Sequence, residues 1–277
     1  MPITIPQLLK KKTENQRITM MTCYDATFAT LLDKAGIDIL FIGDSLGMVV
    51  KGETNTLSVT VDEIAYHTKA VVRASQNAHI LADMPFLSYH VDIANTLLNA
   101  GTLLRAGAHS VKLEGGVNTK AHVKALVETG IPVMGHVGLT PQSVHTMGGY
   151  LVQGKTAESR QRIIDNAMAF QESGAYAVVI EGVPESLAEE LTSQLTIPTI
   201  GIGAGVHCNG QVLVLHDLLG LNPSFKPRFV KQFMNGGELV LNACQQFIAE
   251  VQNGSFPAPE HTFYASSPKP TPPAFPQ

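Results

Sequence analysis

The chain has 277 residues, enough for one large domain or two small ones with a sizeable core. It is 44% hydrophobic and only 15% charged, with a net charge of -4 and a pI near 6.2. Nothing in that balance recommends a nucleic-acid partner, and no apolar run approaches the ~18 residues of a membrane span. A charged fraction well below the usual ~25% fits a surface partly covered in an oligomer. The N-terminus lacks the basic-then-apolar pattern of a secretory signal. Cys23, Cys208 and Cys244 are scattered without a Cys-x-x-Cys pair. That argues against a disulfide framework or zinc site and favours a reducing, cytoplasmic setting.

Pro6 to Glu14 reads as a short N-terminal helix. Strand-like and helix-like segments then alternate. Eight strands are predicted: Ile18–Asp25, Ile37–Ser45, His79–Pro85, Ser110–Gly115, Pro132–Gly138, Tyr176–Gly182, Thr199–Ala204 and Gln211–His216. Each is rich in Val, Ile or Leu and ends at a turn-forming residue. Asp62–Val72, Ala94–Ala106 and Arg160–Ser173 have helical spacing, and Gly36, Gly107, Gly130 and Gly174 stand in helix-stop positions. Eight βα units in about 200 residues predict a closed parallel (βα)8 TIM barrel. An open doubly wound sheet is the alternative, but it would gather its polar strand ends near one switch point. Thr140–Thr156 reads as a long loop that could act as a lid. The predicted domain is residues 1–263, followed by a Pro-rich tail over 264–277.

Near the C-terminal ends of five predicted strands stand ionisable side chains: Asp44, Asp83, Glu114, His136 and Glu181. A buried charge without a partner costs several kcal/mol, so five at equivalent positions imply one shared polar site. Side chains alternate across a strand. Lys112 and Glu114 therefore share the inward face of their strand, with Val111 and Leu113 on the other. The same parity pairs Ile42 with Asp44, Leu81 with Asp83, Met134 with His136 and Val179 with Glu181. The polar member of each pair is expected at the C-terminal mouth, where barrel enzymes keep their chemistry.

Asp44, Asp83 and Glu114 need more positive charge than Lys112 supplies. A hard divalent cation on oxygen ligands balances them, and Mg2+ suits that donor set better than zinc. Ser45 could hydrogen-bond a substrate carboxylate. His136, beside Gly135, reads equally as a structural or a catalytic histidine, the glycine allowing a ligand to approach. Glu181 is a candidate general base. Gly201-Ile202-Gly203-Ala204-Gly205 could cradle an anion or simply form a tight turn. It lacks the context of a dinucleotide-binding loop.

Taken together, several motifs resemble those of the ketopantoate hydroxymethyltransferase family. They are Gly43-Asp44-Ser45-Leu46-Gly47-Met48, Ala82-Asp83-Met84-Pro85-Phe86, Val111-Lys112-Leu113-Glu114-Gly115-Gly116, the run from Gly135 to Ser143, Gly201–Gly205 and His216-Asp217-Leu218-Leu219-Gly220. Each motif is weak alone, but the ordered set is specific and runs from about residue 3 to Phe263. The resemblance implies a (βα)8 barrel. It implies transfer of a hydroxymethyl group from 5,10-methylenetetrahydrofolate to 3-methyl-2-oxobutanoate, in pantothenate biosynthesis. It implies Mg2+ at Asp44, Asp83 and Glu114, the 2-oxo acid at Ser45, Asp83 and Lys112, Glu181 as proton acceptor, and a decamer. His136 is the rival base, or a group that orients the substrate. The alternative is a lyase or mutase of the phosphoenolpyruvate mutase and isocitrate lyase type. Those enzymes also use a barrel and a Mg2+-held oxo acid, but the cysteine loop typical of them is missing from this sequence.

Overall fold

The computed structural model describes residues 1–222 and 227–264. Eight parallel strands close in chain order into a barrel. They are β1 (Ile18–Thr22), β2 (Ile39–Ile42), β3 (His79–Asp83), β4 (Ser110–Glu114), β5 (Val133–Gly138), β6 (Ala177–Glu181), β7 (Thr199–Ile202) and β8 (Gly210–Leu213). The helices are α1 (Ile5–Thr13), α2 (Ala26–Ala35), α3 (Leu46–Val49), α4 (Val61–Ala74), α5 (Ile93–Arg105), α6 (Lys120–Glu128), α7 (Val144–Met147), α8 (Ala157–Glu172), α9 (Glu185–Gln194), α10 (Leu215–Leu218) and α11 (Gly236–Asn253). The expected tail lies outside the described residues, apart from Tyr264.

Period-two alternation builds two apolar clusters. Leu40, Ile42, Ile80, Ala82, Val111, Leu113, Val133, Val137, Val178 and Ile180 face outward beneath the helices. Ile39, Phe41, Leu81, Met134, Val179, Ile200 and Val212 fill the barrel itself. The expected parity therefore holds for β3 to β6 and fails for β2. Ile42 packs outside and Phe41 inside. β2 stops at Ile42 rather than running to Ser45, and the chain turns at Gly43, where a Cβ would meet the Phe41 ring at 2.8 Å. Asp44 reaches the mouth from that turn and not by strand alternation.

The predicted helix–Gly–strand joints are present. Gly36, Gly107, Gly130 and Gly174 have φ of +83°, +108°, +85° and +89°, a region open to glycine at little cost. Two other expectations are corrected. β8 ends at Leu213, and His216 lies on α10, because the Leu215 N–H leaves the ladder and donates to Thr22 Oγ1 at 3.0 Å. The β7–β8 connection, Gly203–Asn209, contains no helix, so the βα repeat is broken there although the barrel closes.

The N-terminal helix plugs the bottom of the barrel. Leu8 is fully buried in the interior cluster, with Ile3 and Ile5 beside it. The Lys12 ammonium donates to the carbonyls of Leu195 (2.8 Å), Ile197 (3.0 Å) and Thr192 (3.3 Å) and to Asn209 Oδ1 (3.1 Å). A cation at the C-terminal end of α9 is favoured by the helix dipole. Above this plug, His79 Nε2 lies 2.7 Å from Ser110 Oγ, which lies 3.0 Å from the Tyr176 hydroxyl. Burial pushes His79 down to about 4, so the ring is neutral in this layer.

α11 behaves differently from the other long helices. Gly236 is its one buried residue. Val240, Phe247, Ile248 and Val251 recur at helical spacing, and each stays about half exposed.

Candidate active site

Strand register decides which charges meet. Asp83 pairs across to Lys112, and Glu114 to His136, so each pair sits side by side on the inward face. Lys112 Nζ lies 2.9 Å from Asp83 Oδ1. His136 Nδ1 lies 3.5 Å from Glu114 Oε1, and Nε2 lies 3.2 Å from Glu181 Oε2. Asp44, Asp83, Lys112, Glu114 and His136 are each at most 5% exposed. The Asp44 N–H donates to Asp83 Oδ2 at 3.0 Å, so the turn after β2 is fastened to the end of β3. The Phe41 ring lies 5.4 Å from Lys112 Nζ, where its face attracts the ammonium.

Ser45 opens α3, and its hydroxyl lies 2.7 Å from the Tyr24 hydroxyl. Every site residue expected from the sequence is thus gathered at one end of the barrel. His136 bridges Glu114 and Glu181, and Lys112 joins Asp83. The glycine beside His136 has a different use from the expected one. A Cβ on Gly135 would lie 2.4 Å from the Phe170 ring, so the gap admits α8 and not a ligand. The Gly201–Gly205 stretch likewise reads as a packed turn. Phe229 closes on Gly203, and the Glu185 side chain on Gly205.

The protonation states follow from burial and neighbours. Burial pushes the Asp83 carboxyl well above the usual range, and the Asp44 charge adds to this, while Lys112 opposes it. Burial also raises Glu114, against the pull of His136 and Lys112. Burial disfavours charged Lys112, but Asp83, Glu114 and Asp44 outweigh it and hold the ammonium charged. Burial and Lys112 oppose charge on His136, yet its contacts with Glu114 and Glu181 lift it to about 9. His136 Nδ1 also lies 3.4 Å from Lys112 Nζ. It can accept from that lysine or donate to Glu114, not both, and the raised value favours the donating imidazolium.

Two carboxyls raised chiefly by burial are a sign that this site would gain from more positive charge. Asp83 Oδ1 adds to that signal. It is buried and within ion-pair distance of Lys112, yet it receives no hydrogen bond of good geometry. An oxygen-only donor set with spare negative charge fits a hard divalent cation. Among the described residues, no three His, Cys, Asp or Glu side chains are drawn together tightly enough to hold a metal ion as they stand. To hold one, Asp44, Asp83 and Glu114 would have to draw closer together.

Sequence reasoning missed several supporting residues. Tyr24, buried, holds Ser45. Tyr89 accepts the Glu114 N–H at 3.1 Å. Gln142, from the turn Pro141–Ser143, touches both Asp44 and Glu114. The Thr140–Thr156 loop lies over the mouth, and the Tyr150 hydroxyl reaches Met48 Sδ at 3.6 Å. Only membership of a motif could have marked Gln142, and nothing in the sequence gives the direction of its side chain.

Comparison with known proteins identifies the family. The sequence model of the ketopantoate hydroxymethyltransferase family matches residues 2–259. The chain is 51% identical to the 3-methyl-2-oxobutanoate hydroxymethyltransferase of Clostridium beijerinckii, covering 94% of this chain and 95% of that one. It is 52% identical to the enzyme of Geobacter metallireducens, covering 94% and 98%. Among solved structures, phosphonopyruvate hydrolase matches with a TM-score of 0.61 at 11% identity, covering 94% and 93%. A 2,3-dimethylmalate lyase matches with a TM-score of 0.59 at 16% identity, covering 96% and 93%. Identities that low carry the barrel and nothing of the chemistry. The match along nearly the whole sequence carries more, and by it the chain belongs to the ketopantoate hydroxymethyltransferase family.

Proposed function

We propose that this protein transfers a hydroxymethyl group from 5,10-methylenetetrahydrofolate to 3-methyl-2-oxobutanoate, giving 2-dehydropantoate in pantothenate biosynthesis. The observation that carries this reading is half-identity over 94% of the chain to enzymes of that name. The low-identity lyase and hydrolase neighbours give the alternative reading no support beyond the shared fold. Residues 1–263 act as one catalytic domain.

Asp44, Asp83 and Glu114 would hold Mg2+, which when bound supplies a Lewis acid for the 2-oxo group. The Ser45 hydroxyl, oriented by Tyr24, binds the substrate carboxylate, and Lys112 and Asp83 complete the pocket. Glu181 removes the proton from C3. It is the least buried of the site acids, with 17% of its side chain exposed, so it can meet a substrate entering from the mouth. His136, held between Glu114 and Glu181, orients that carboxylate. The Lys112 ammonium faces the negative charge that develops on the oxo oxygen. C3 then bonds to the methylene carbon of the folate as one of that carbon's two C–N bonds breaks. Water replaces the second nitrogen and supplies the hydroxyl, and tetrahydrofolate leaves with the two protons given up by C3 and by water.

We read the protein as a homo-oligomer, in keeping with the family a decamer. An 18-residue helix gains most of its stability from packing an apolar face, and among the described residues α11 leaves Val240, Phe247, Ile248 and Val251 about half exposed. A second copy of the chain supplies cover for them. No helix among the described residues is long and apolar enough to cross a membrane. The free thiols Cys23, Cys208 and Cys244 suit the reducing cytoplasm.

The test is direct. Purified protein with Mg2+, 3-methyl-2-oxobutanoate and 5,10-methylenetetrahydrofolate is expected to form 2-dehydropantoate, and excess chelator is expected to stop it. Folded, metal-loaded protein that forms no product, or that cleaves a hydroxy acid without folate, overturns the reading.

A further inference from the structure

One buried amide ties together the segments that carry the site acids, and the reaction as derived does not use it. Gln142 is 6% exposed. Its Nε2 donates to Asp44 Oδ2 at 2.9 Å and to the Met84 carbonyl at 3.1 Å. Its Oε1 accepts from the Tyr89 hydroxyl at 2.7 Å. Its backbone N–H donates to Glu114 Oε2 at 3.1 Å. The Tyr89 hydroxyl accepts in turn from the Glu114 N–H. The turns after β2, β3 and β5 and the end of β4 therefore meet at one residue.

The partners fix which way the amide points. The side facing Asp44 and Met84 meets a carboxylate oxygen and a carbonyl oxygen, both acceptors only, so it is the NH2 group. The side facing Tyr89 meets a hydroxyl able to donate. The choice of an amide also has an electrostatic consequence. A lysine or arginine at this place would satisfy Asp44 but cancel its charge. Gln142 satisfies one oxygen with a neutral donor and leaves the negative charge for a cation.

We propose that Gln142 is a positioning residue for the divalent-cation site. It holds Asp44 through the side chain and Glu114 through the backbone, so that two carboxylates from separate segments keep their relative placement. Groups that orient metal ligands in this way typically change cation affinity by about 10- to 100-fold when removed. The inference rests on the cation assignment made under the proposed function.

The experiment is titration calorimetry with MgCl2 and with MnCl2 on the full chain in its native assembly, comparing wild type, Gln142→Met and Tyr89→Phe. Gln142→Met keeps the volume and the backbone bond to Glu114 but removes the donors to Asp44. It is expected to weaken cation binding by at least ~10-fold and to raise KM for the 2-oxo acid, with a much smaller change in Tm. Tyr89→Phe frees the far side of the amide and the Glu114 N–H but keeps the donors to Asp44, and is expected to weaken binding by about threefold, less than the loss of the Asp44 donor. Wild-type cation affinity in a folded Gln142→Met protein overturns the inference and leaves the proposed function standing. If Gln142→Met does not fold, unchanged affinity in Tyr89→Phe overturns it instead. A wild-type protein that binds neither cation removes the metal assignment, and this inference falls with it.

Discussion

Glu181 and His79 are both ionisable groups on the inner face of the barrel, and their different depths give them different expected behaviour. Glu181 ends β6 at the mouth, partly exposed and 3.2 Å from His136. Glu181→Gln is expected to bind cation and 2-oxo acid normally but to slow exchange of the C3 proton with solvent by on the order of 10²-fold, the usual share of a general base. Proton exchange followed by NMR checks this, and an unchanged rate moves the base to His136. Asp83→Ala is expected to abolish both cation and 2-oxo acid binding, because Asp83 touches Lys112 as well as the Asp44 turn. Calorimetry showing near-normal Mg2+ affinity would falsify that assignment. His79 lies at the bottom layer and has no access to substrate. Its folded value near 4 is below the ordinary 6.5. The unfolded chain therefore takes up a proton first, and stability present above pH 6.5 is lost as pH falls toward 4. The full effect is on the order of 3 kcal/mol. His79→Gln is expected to flatten this acid-side slope, measured as Tm between pH 7.5 and pH 4.5.

At the scale of elements, the strands were legible and their ends were not. Runs such as Val111-Lys112-Leu113-Glu114 announce an inward and an outward face, and β3 to β6 follow that alternation. The β2 run breaks it, because the turn at Gly43 shifts the phase between Ile42 and Asp44. Asp44 still joins the other strand-end acids, but through this turn and not through the parity of β2. The β7–β8 connection also departs from expectation. Eight βα units imply a helix there, but Gly203–Asn209 returns directly to the next strand. The plug helix α1 was readable from Pro6 onward, but its anchor was not, since Lys12 finds its acceptors some 180 residues away in sequence. Lys12→Met is expected to cost about 2 kcal/mol, the scale of losing a charged hydrogen-bond donor. Thermal denaturation should show that as a fall in Tm of about 4–8 °C.

Across the whole molecule, the unmatched feature is α11. A barrel of low surface charge with one long helix standing off it exposes apolar side chains that water does not favour. Phe247 and Ile248 lie near the middle of that face, 55% and 52% exposed. Phe247→Asp is expected to shift the protein toward smaller species in analytical ultracentrifugation, with the barrel's far-UV circular dichroism retained. Wild-type sedimentation in that variant would remove α11 from the proposed subunit contact.

The sequence by itself determined the closed barrel, the identity of the acids at its mouth and the family. Local alternation, glycine joints and ordered motifs are properties of short segments, and they survive without knowledge of the rest of the chain. Only the tertiary structure decided that Asp83 meets Lys112, that His136 stands between two glutamates, that Tyr24 holds Ser45, and that Gln142 joins Asp44 to Glu114. Those contacts depend on strand register and on where loops from distant segments converge. A side chain's partner across the barrel leaves no mark on the residues beside it in sequence.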